Sequence, residues 1–163
     1  YVLGAIGMDY KPNANFTMFV SPITMKTTIV NDQNLANFGA FGVDPAEFDE
    51  FGNITSKGKM IRSEYGGYLR AMFNKDIMKN VNFQTKLELF SNYAEEPTHI
   101  DVNWEVLIAM KVNKYISATI STQLVYDHDI DIAVDTDGDD IFDAVGPRTQ
   151  FKEVIGVGLN YKF

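Results

Sequence analysis

The strongest constraint on this chain is an alternation of apolar and polar side chains sustained over long segments. In residues 100–112, Ile100, Val102, Trp104, Val106, Ile108 and Met110 occupy one parity, and Asp101, Asn103, Glu105 and Lys111 the other. A period of two is that of a β-strand, whose successive side chains point to opposite faces. Residues 81–93 repeat the pattern, with Val81, Phe83, Leu87 and Leu89 opposite Asn82, Gln84, Lys86, Glu88 and Asn92. So do 63–74, where Tyr65, Leu69, Ala71 and Phe73 oppose Glu64, Tyr68, Arg70 and Asn74. In 115–126 the apolar set is Ile116, Ala118, Ile120, Leu124 and Tyr126, against Ser117, Thr119, Ser121 and Gln123. The last strand sets Phe151, Ile155, Val157, Leu159, Tyr161 and Phe163 against Lys152, Gly156, Gly158, Asn160 and Lys162.

Two more strands precede these. Residues 1–10 alternate weakly, and 11–15 form a compact turn in which proline presets φ and asparagine tolerates left-handed backbone. From 15 to 30 the apolar phase shifts at Pro22, from Phe16, Met18 and Val20 to Ile23, Met25 and Ile29. A one-residue shift at a proline predicts a β-bulge, because proline cannot donate to a regular ladder. Residues 31–62 are a long irregular stretch, with a short helix expected over Pro45 to Phe51.

These runs exceed the usual strand length of about five or six residues, and they suit tilted membrane strands of roughly 9 to 11 residues plus projecting ends. Charged residues lie well inside them: Lys26, Arg70, Lys86, Glu88, Asp101, Glu105, Lys111 and Lys152. Such charges are costly in an apolar sandwich but tolerable facing a polar lumen. Short connections alternate with long ones, and aromatic residues stand near strand ends. The expectation is therefore an all-β fold, an antiparallel transmembrane β-barrel. About seven strands are visible, with at least eight expected in the full protein. Residues 1–163 form the C-terminal portion of one barrel domain, with 31–62 as a long extracellular loop and 127–146 as an acidic one. The eight charged residues are expected to face the lumen. The chain opens at Tyr1 without an initiator methionine or signal peptide, so it is expected to be the end of a longer protein.

Composition narrows the functions. A net charge of -8 argues against nucleic-acid binding, which needs a basic footprint. Absence of cysteine excludes disulfide scaffolds and thiolate metal sites.

One segment carries possible metal chemistry. Asp135, Asp137 and Asp139 are spaced so that alternate carboxylates can converge on a hard cation, Ile141 can offer its carbonyl, and Asp143 can close the shell. Calcium is the cofactor this pattern suggests. It is not an EF-hand, since no glutamate stands at the twelfth position and Asp140 replaces the usual glycine. A solvated acidic hairpin is the alternative, although unscreened carboxylates at that density repel one another. Asp127, Asp129 and Asp131 would add charge nearby.

Enzymatic motifs are lacking. His99 and His128 could approach each other at the loop end, and Ser121 with a histidine and an aspartate could be imagined as a triad. No phosphate-binding glycine loop or paired-histidine zinc signature supports such a site, so no enzyme activity is expected.

The ending Gly146-Pro147-Arg148-Thr149-Gln150-Phe151-Lys152-Glu153-Val154-Ile155-Gly156-Val157-Gly158-Leu159-Asn160-Tyr161-Lys162-Phe163 resembles that of an uncharacterised family from Bacteroidota, a domain of unknown function predicted to be an outer-membrane β-barrel. Residues 10–16, 74–78, 89–93 and 101–105 resemble further family segments. The resemblance implies no catalytic residues. Tyr161 and the terminal Phe163 resemble the aromatic signal read by barrel-insertion machinery. On this reading the chain belongs in the bacterial outer membrane as a multi-pass protein. Its partners would be outer-membrane lipid, the barrel-assembly machinery and other outer-membrane proteins or lipoproteins, with no nucleic acid. Two roles stand open: an accessory or scaffold subunit of an outer-membrane complex, or a channel or transporter for a small or lipophilic solute.

Overall fold

The computed structural model describes residues 1–94, 97–135 and 144–159. Its main element is a seven-stranded antiparallel sheet. The first hairpin joins β1 (Val2–Asn13) to β2 (Phe16–Ile29). Its turn is set by Asn13, whose Oδ1 accepts from the backbone N–H groups of Asn15 and Phe16 at 2.9 and 3.0 Å. The long connection that follows holds helix α1 (Gln33–Asn37), a single 3-10 turn at Ala40–Gly42, and a hairpin of β3 (Glu47–Phe48) with β4 (Ile54–Ser56). The meander resumes with β5 (Ile61–Met78), β6 (Val81–Asn92), β7 (Ile100–Lys111) and β8 (Ile116–Tyr126). A separate hairpin pairs β9 (Asp131–Val134) with β10 (Ala144–Pro147), and β11 (Gln150–Leu159) then returns along β8. The order across the sheet is β1-β2-β5-β6-β7-β8-β11.

The bulge expected at Pro22 is present. Between Ser21 and Thr24 the register slips against both neighbours, since Ile6 pairs with Ile23 while Met8 pairs with Val20. Hydroxyls fill the gap left by the missing proline N–H. Ser21 Oγ lies 2.8 Å from the carbonyl oxygens of both Ile6 and Ile23, and Thr24 Oγ1 donates to it at 2.7 Å. The backbones approach so closely here that a Cβ on Gly7 would stand 2.2 Å from the Val20 carbonyl oxygen.

The sheet is strongly curled. Lys26 on β2 lies three ladder spacings from Asp101 on β7 and four from Asp127 at the end of β8, about 14 and 19 Å on a flat sheet. The Lys26 ammonium nonetheless reaches those carboxylates at 2.9 and 3.7 Å. The polar face is therefore the inner one. Its most buried side chains include Ser21, Thr24, Glu64 and Asn92, alongside Tyr68 and Phe90. The apolar parity stays exposed, as at Ile6, Met8, Ile23, Trp104 and Val157. A small apolar cluster of Val30, Ala36 and Val43 sits apart, where the long connection folds onto itself.

The closed barrel expected above is corrected to an open sheet. Among the described residues β1 pairs with β2 alone and β11 with β8 alone, and no ladder joins these two edges. In this seven-strand antiparallel meander the first and last strands run in the same direction, and no ladder, parallel or antiparallel, forms between them among the described residues. Among the described residues no helix is long and apolar enough to cross a membrane. With closure go the readings that depended on it. These are the outer-membrane, multi-pass placement and the roles as accessory subunit of an outer-membrane complex or as channel. They also include the partnerships with outer-membrane lipid, assembly machinery and neighbouring outer-membrane proteins, because lipid cannot satisfy the two open edges.

Candidate functional site

Alternation places every polar residue of one parity on the inner face, and the curl brings residues from distant strands together. At the end of the sheet carrying the long connection, Lys26 is surrounded by Asp101 at 2.9 Å, Glu64 at 3.5 Å and Asp127 at 3.7 Å. Its ammonium also stands 5.0 Å from the centroid of the Phe90 ring. Arg62 joins the same group, pairing with Asp129 at 2.8 Å and Glu64 at 3.8 Å, and donating to the Gly42 carbonyl. Arg62 thereby ties the long connection to the segment after β8. Burial pulls the Lys26 pKa down, but Asp101, Asp127 and Glu64 outweigh it and hold the ammonium above its ordinary value. Burial pushes the Glu64 and Asp101 carboxyls up, only partly opposed by Lys26 and, for Glu64, Arg62. Glu64 Oε1 is buried and accepts no hydrogen bond.

Towards the middle of the sheet a second group forms around Glu88. Its carboxylate accepts from the Tyr68 hydroxyl at 2.6 Å, from Lys86 at 3.1 Å and from the Asn103 amide at 3.1 Å. Lys86 also pairs with Glu105 at 3.0 Å, and Gln123 donates to Asn103 Oδ1 at 3.0 Å. Burial pushes the Glu88 carboxyl up, yet the donors from Tyr68, Lys86 and Asn103 prevail and set it below its ordinary value. Tyr68 is raised by burial and by its bond to Glu88, so it remains a donor.

Between the two groups the curl leaves a cleft of about 370 Å³. It is lined by Tyr1, Leu3 from β1, Lys26 from β2, and Tyr68 and Arg70 from β5. Glu88 and Phe90 from β6, Asp101 and Asn103 from β7, and Gln123 and Val125 from β8 complete it, with Asp127 beyond the strand end. Arg70 stands with its guanidinium carbon 5.6 Å from the centroid of the Phe19 ring.

The charged residues singled out from sequence share this inner face but not one site. Lys26, Arg70, Glu88 and Asp101 line the cleft, Lys86 and Glu105 join it through Glu88 and Asn103, and Lys111 and Lys152 are exposed beyond it. Of the calcium pattern, Asp137, Asp139, Ile141 and Asp143 lie outside the described residues, as do Tyr161 and Phe163; Asp135 alone is described. Asp127 and Asp129, near that pattern in sequence, face Lys26 and Arg62. Among the described residues no group of three or more acidic, histidine or cysteine side chains is placed to hold a metal.

His99 and His128 do meet, with ring centroids 3.5 Å apart, and the Tyr126 hydroxyl lies 3.2 Å from His128 Nδ1. Ser121 is remote from them. It lines a different hollow with Lys86 and Glu105, five residues before the end of β8 and so about 17 Å along the strand. Sequence reasoning missed the cleft contributions of Leu3, Phe90 and Val125. Their only signal was an apolar residue standing on the polar parity of its strand. Comparison with protein-family models, with curated proteins and with solved structures finds no match to this chain.

Proposed function

We propose that the chain is a non-catalytic binding protein that holds a small molecule in the cleft on the inner face of its curled sheet. One observation carries this reading: side chains from six strands converge on a single cleft of about 370 Å³ that joins apolar walls to polar groups already fixed by their own partners. Ligand sites are commonly concave, about 300–1,000 Å³ in volume, and mostly apolar with a few oriented polar groups. The Lys26 and Glu88 groups supply that orientation without needing a ligand to organise them. The serine triad imagined from the sequence is not assembled among the described residues, since Ser121 and the paired histidines lie apart.

Filling the cleft tests the proposal. Val125→Trp puts an indole into the space that Leu3, Phe90 and Val125 wall. Titration of the wild type with phenethyl alcohol, followed by backbone NMR, is expected to shift resonances of Lys26, Arg70, Asn103 and Val125 together. The variant should lose that response while keeping its other resonances. Shifts scattered over Ile6, Trp104 and Val157 on the apolar face, with no cluster in the cleft, would sink the reading.

A further inference from the structure

Two cations line the cleft, and they differ in what they already hold. Lys26 is surrounded by three carboxylates at 2.9, 3.5 and 3.7 Å. Arg70 has none. It faces Glu88 across the β5–β6 ladder, but both oxygens of Glu88 are taken, Oε1 by the Tyr68 hydroxyl and Oε2 by Lys86 and Asn103. Among the described residues no carboxylate lies within ion-pairing distance of the Arg70 guanidinium, which is half-buried and stacked near Phe19. A guanidinium carries five N–H donors in a fixed planar fork and stays charged at any physiological pH. The carboxylates of the cleft, by contrast, are all engaged. Asp101 accepts from Lys26, Asp127 faces Lys26 and accepts from the Asp129 N–H, and Glu88 has three donors.

Resting on the cleft reading above, we propose that the ligand is a small amphipathic monocarboxylate, its carboxylate held by Arg70 and its apolar body packed against Leu3, Phe90 and Val125. A planar carboxylate matches the fork with two parallel hydrogen bonds. Charge disfavours a dianion. The cleft holds Lys26 and Arg70 against Glu88, Asp101 and Asp127, so a doubly charged phosphate meets more repulsion than a single carboxylate does. These apolar residues sit on the inner parity: Leu3 and Val125 lie outside the ion-pair groups, and Phe90, 5.0 Å from the Lys26 ammonium, joins the wall to them.

Three probes of similar size separate the possibilities: phenylacetate, phenethyl alcohol and phenethylamine, each titrated at fixed ionic strength and neutral pH. Phenylacetate is expected to bind at least about ten-fold more tightly than either of the others. Arg70→Gln should erase that advantage, while Arg70→Lys, which keeps charge but loses the fork, should retain only part of it. The side-chain Nε–H resonance of wild-type Arg70 supplies a readout independent of variant folding. It should move markedly more with phenylacetate than with the alcohol at equal occupancy. Equal binding of acid and alcohol, tighter binding of the amine, or an unmoved Arg70 resonance would overturn the anion assignment and leave the cleft standing. If none of the three binds, the cleft reading itself is wrong.

Discussion

The two ion groups on the inner face use the same residue types and differ in how their carboxylates are supported. At the loop end, Glu64 is only 4% exposed and one of its oxygens accepts no hydrogen bond. Near the middle, Glu88 is 18% exposed and has three donors. Burial raises both carboxyls. It prevails at Glu64, and hydrogen bonding prevails at Glu88. Proximity to a cation therefore does not decide what a buried carboxylate contributes; the number of donors aimed at it does. The loop-end group depends on its cations to offset desolvation, whereas the central group is a hydrogen-bond network that contains an ion pair.

The sharpest break of this contrast is Lys26→Met. It leaves Glu64, Asp101 and Asp127 close together without the ammonium that joins them. Removing one partner of a buried pair costs about 3–5 kcal/mol, because the remaining charge stays desolvated. Denaturant unfolding should show a loss of that size at neutral pH. Part of it should return in acid, as the three carboxyls take up protons. A loss below about 1 kcal/mol, the range of exposed pairs, would mean water reaches the group and the contrast is false.

Acid itself separates the two carboxylates. The folded Glu64 pKa lies above its ordinary 4.5, so charged Glu64 subtracts from stability above its folded pKa, and the deficit is recovered as pH falls through that value towards 4.5. Asp101, raised above 3.8, behaves alike. Glu88 has the opposite sign: its depressed folded pKa adds stability that is present above 4.5 and lost as pH falls below that value. Stability should thus hold or rise from neutral pH towards about 4.5 and then fall. Glu64→Gln keeps the shape and removes the charge that burial disfavours, so stability at neutral pH should hold or rise. The substitution should also flatten the rise towards acid. An unchanged pH profile in Glu64→Gln would show that Glu64 is not the group burial perturbs.

Much of this was legible in the alternation. The two faces, the bulge at Pro22 and the strand cores from β5 to β8 follow from local pattern, because period and proline chemistry act within a few residues. Asn13 and Asn113 likewise set turns by accepting from backbone N–H groups two and three residues on. Strand ends were less legible. β5 runs on to Met78, beyond the segment 63–74 that its alternation marks. The expected helix over Pro45–Phe51 is instead part of the β3–β4 hairpin. The real helix, at Gln33–Asn37, has too few turns to display a period; its signal was the Asp32 cap, which accepts from Asn34 and Leu35. Closure was misread because alternation is identical in an open and a closed sheet, and edge pairing is not written locally. The Lys26–Asp101 contact spans seventy-five positions in sequence and exists only through the curl. The free fork of Arg70 was hidden for the same reason, since it depends on where Tyr68, Lys86 and Asn103 point.

The smallest expected effect is at Lys86, and it sharpens the comparison most directly. Lys86→Met removes an ammonium that is 31% exposed and that faces Glu88 at 3.1 Å and Glu105 at 3.0 Å. Glu88 keeps the Tyr68 hydroxyl and the Asn103 amide, and Glu105 is itself exposed enough for water to replace the lost partner. Screening by solvent limits such a pair to about 0.5–1 kcal/mol. Carboxyl titration by NMR adds a second readout. The Glu88 pKa should rise on losing one of its three donors, and the acid limb of the stability profile should shift upward with it. A loss matching that of Lys26→Met would show that Lys86 is as indispensable as Lys26, and the distinction between an ion-dependent end and a hydrogen-bonded centre would fail.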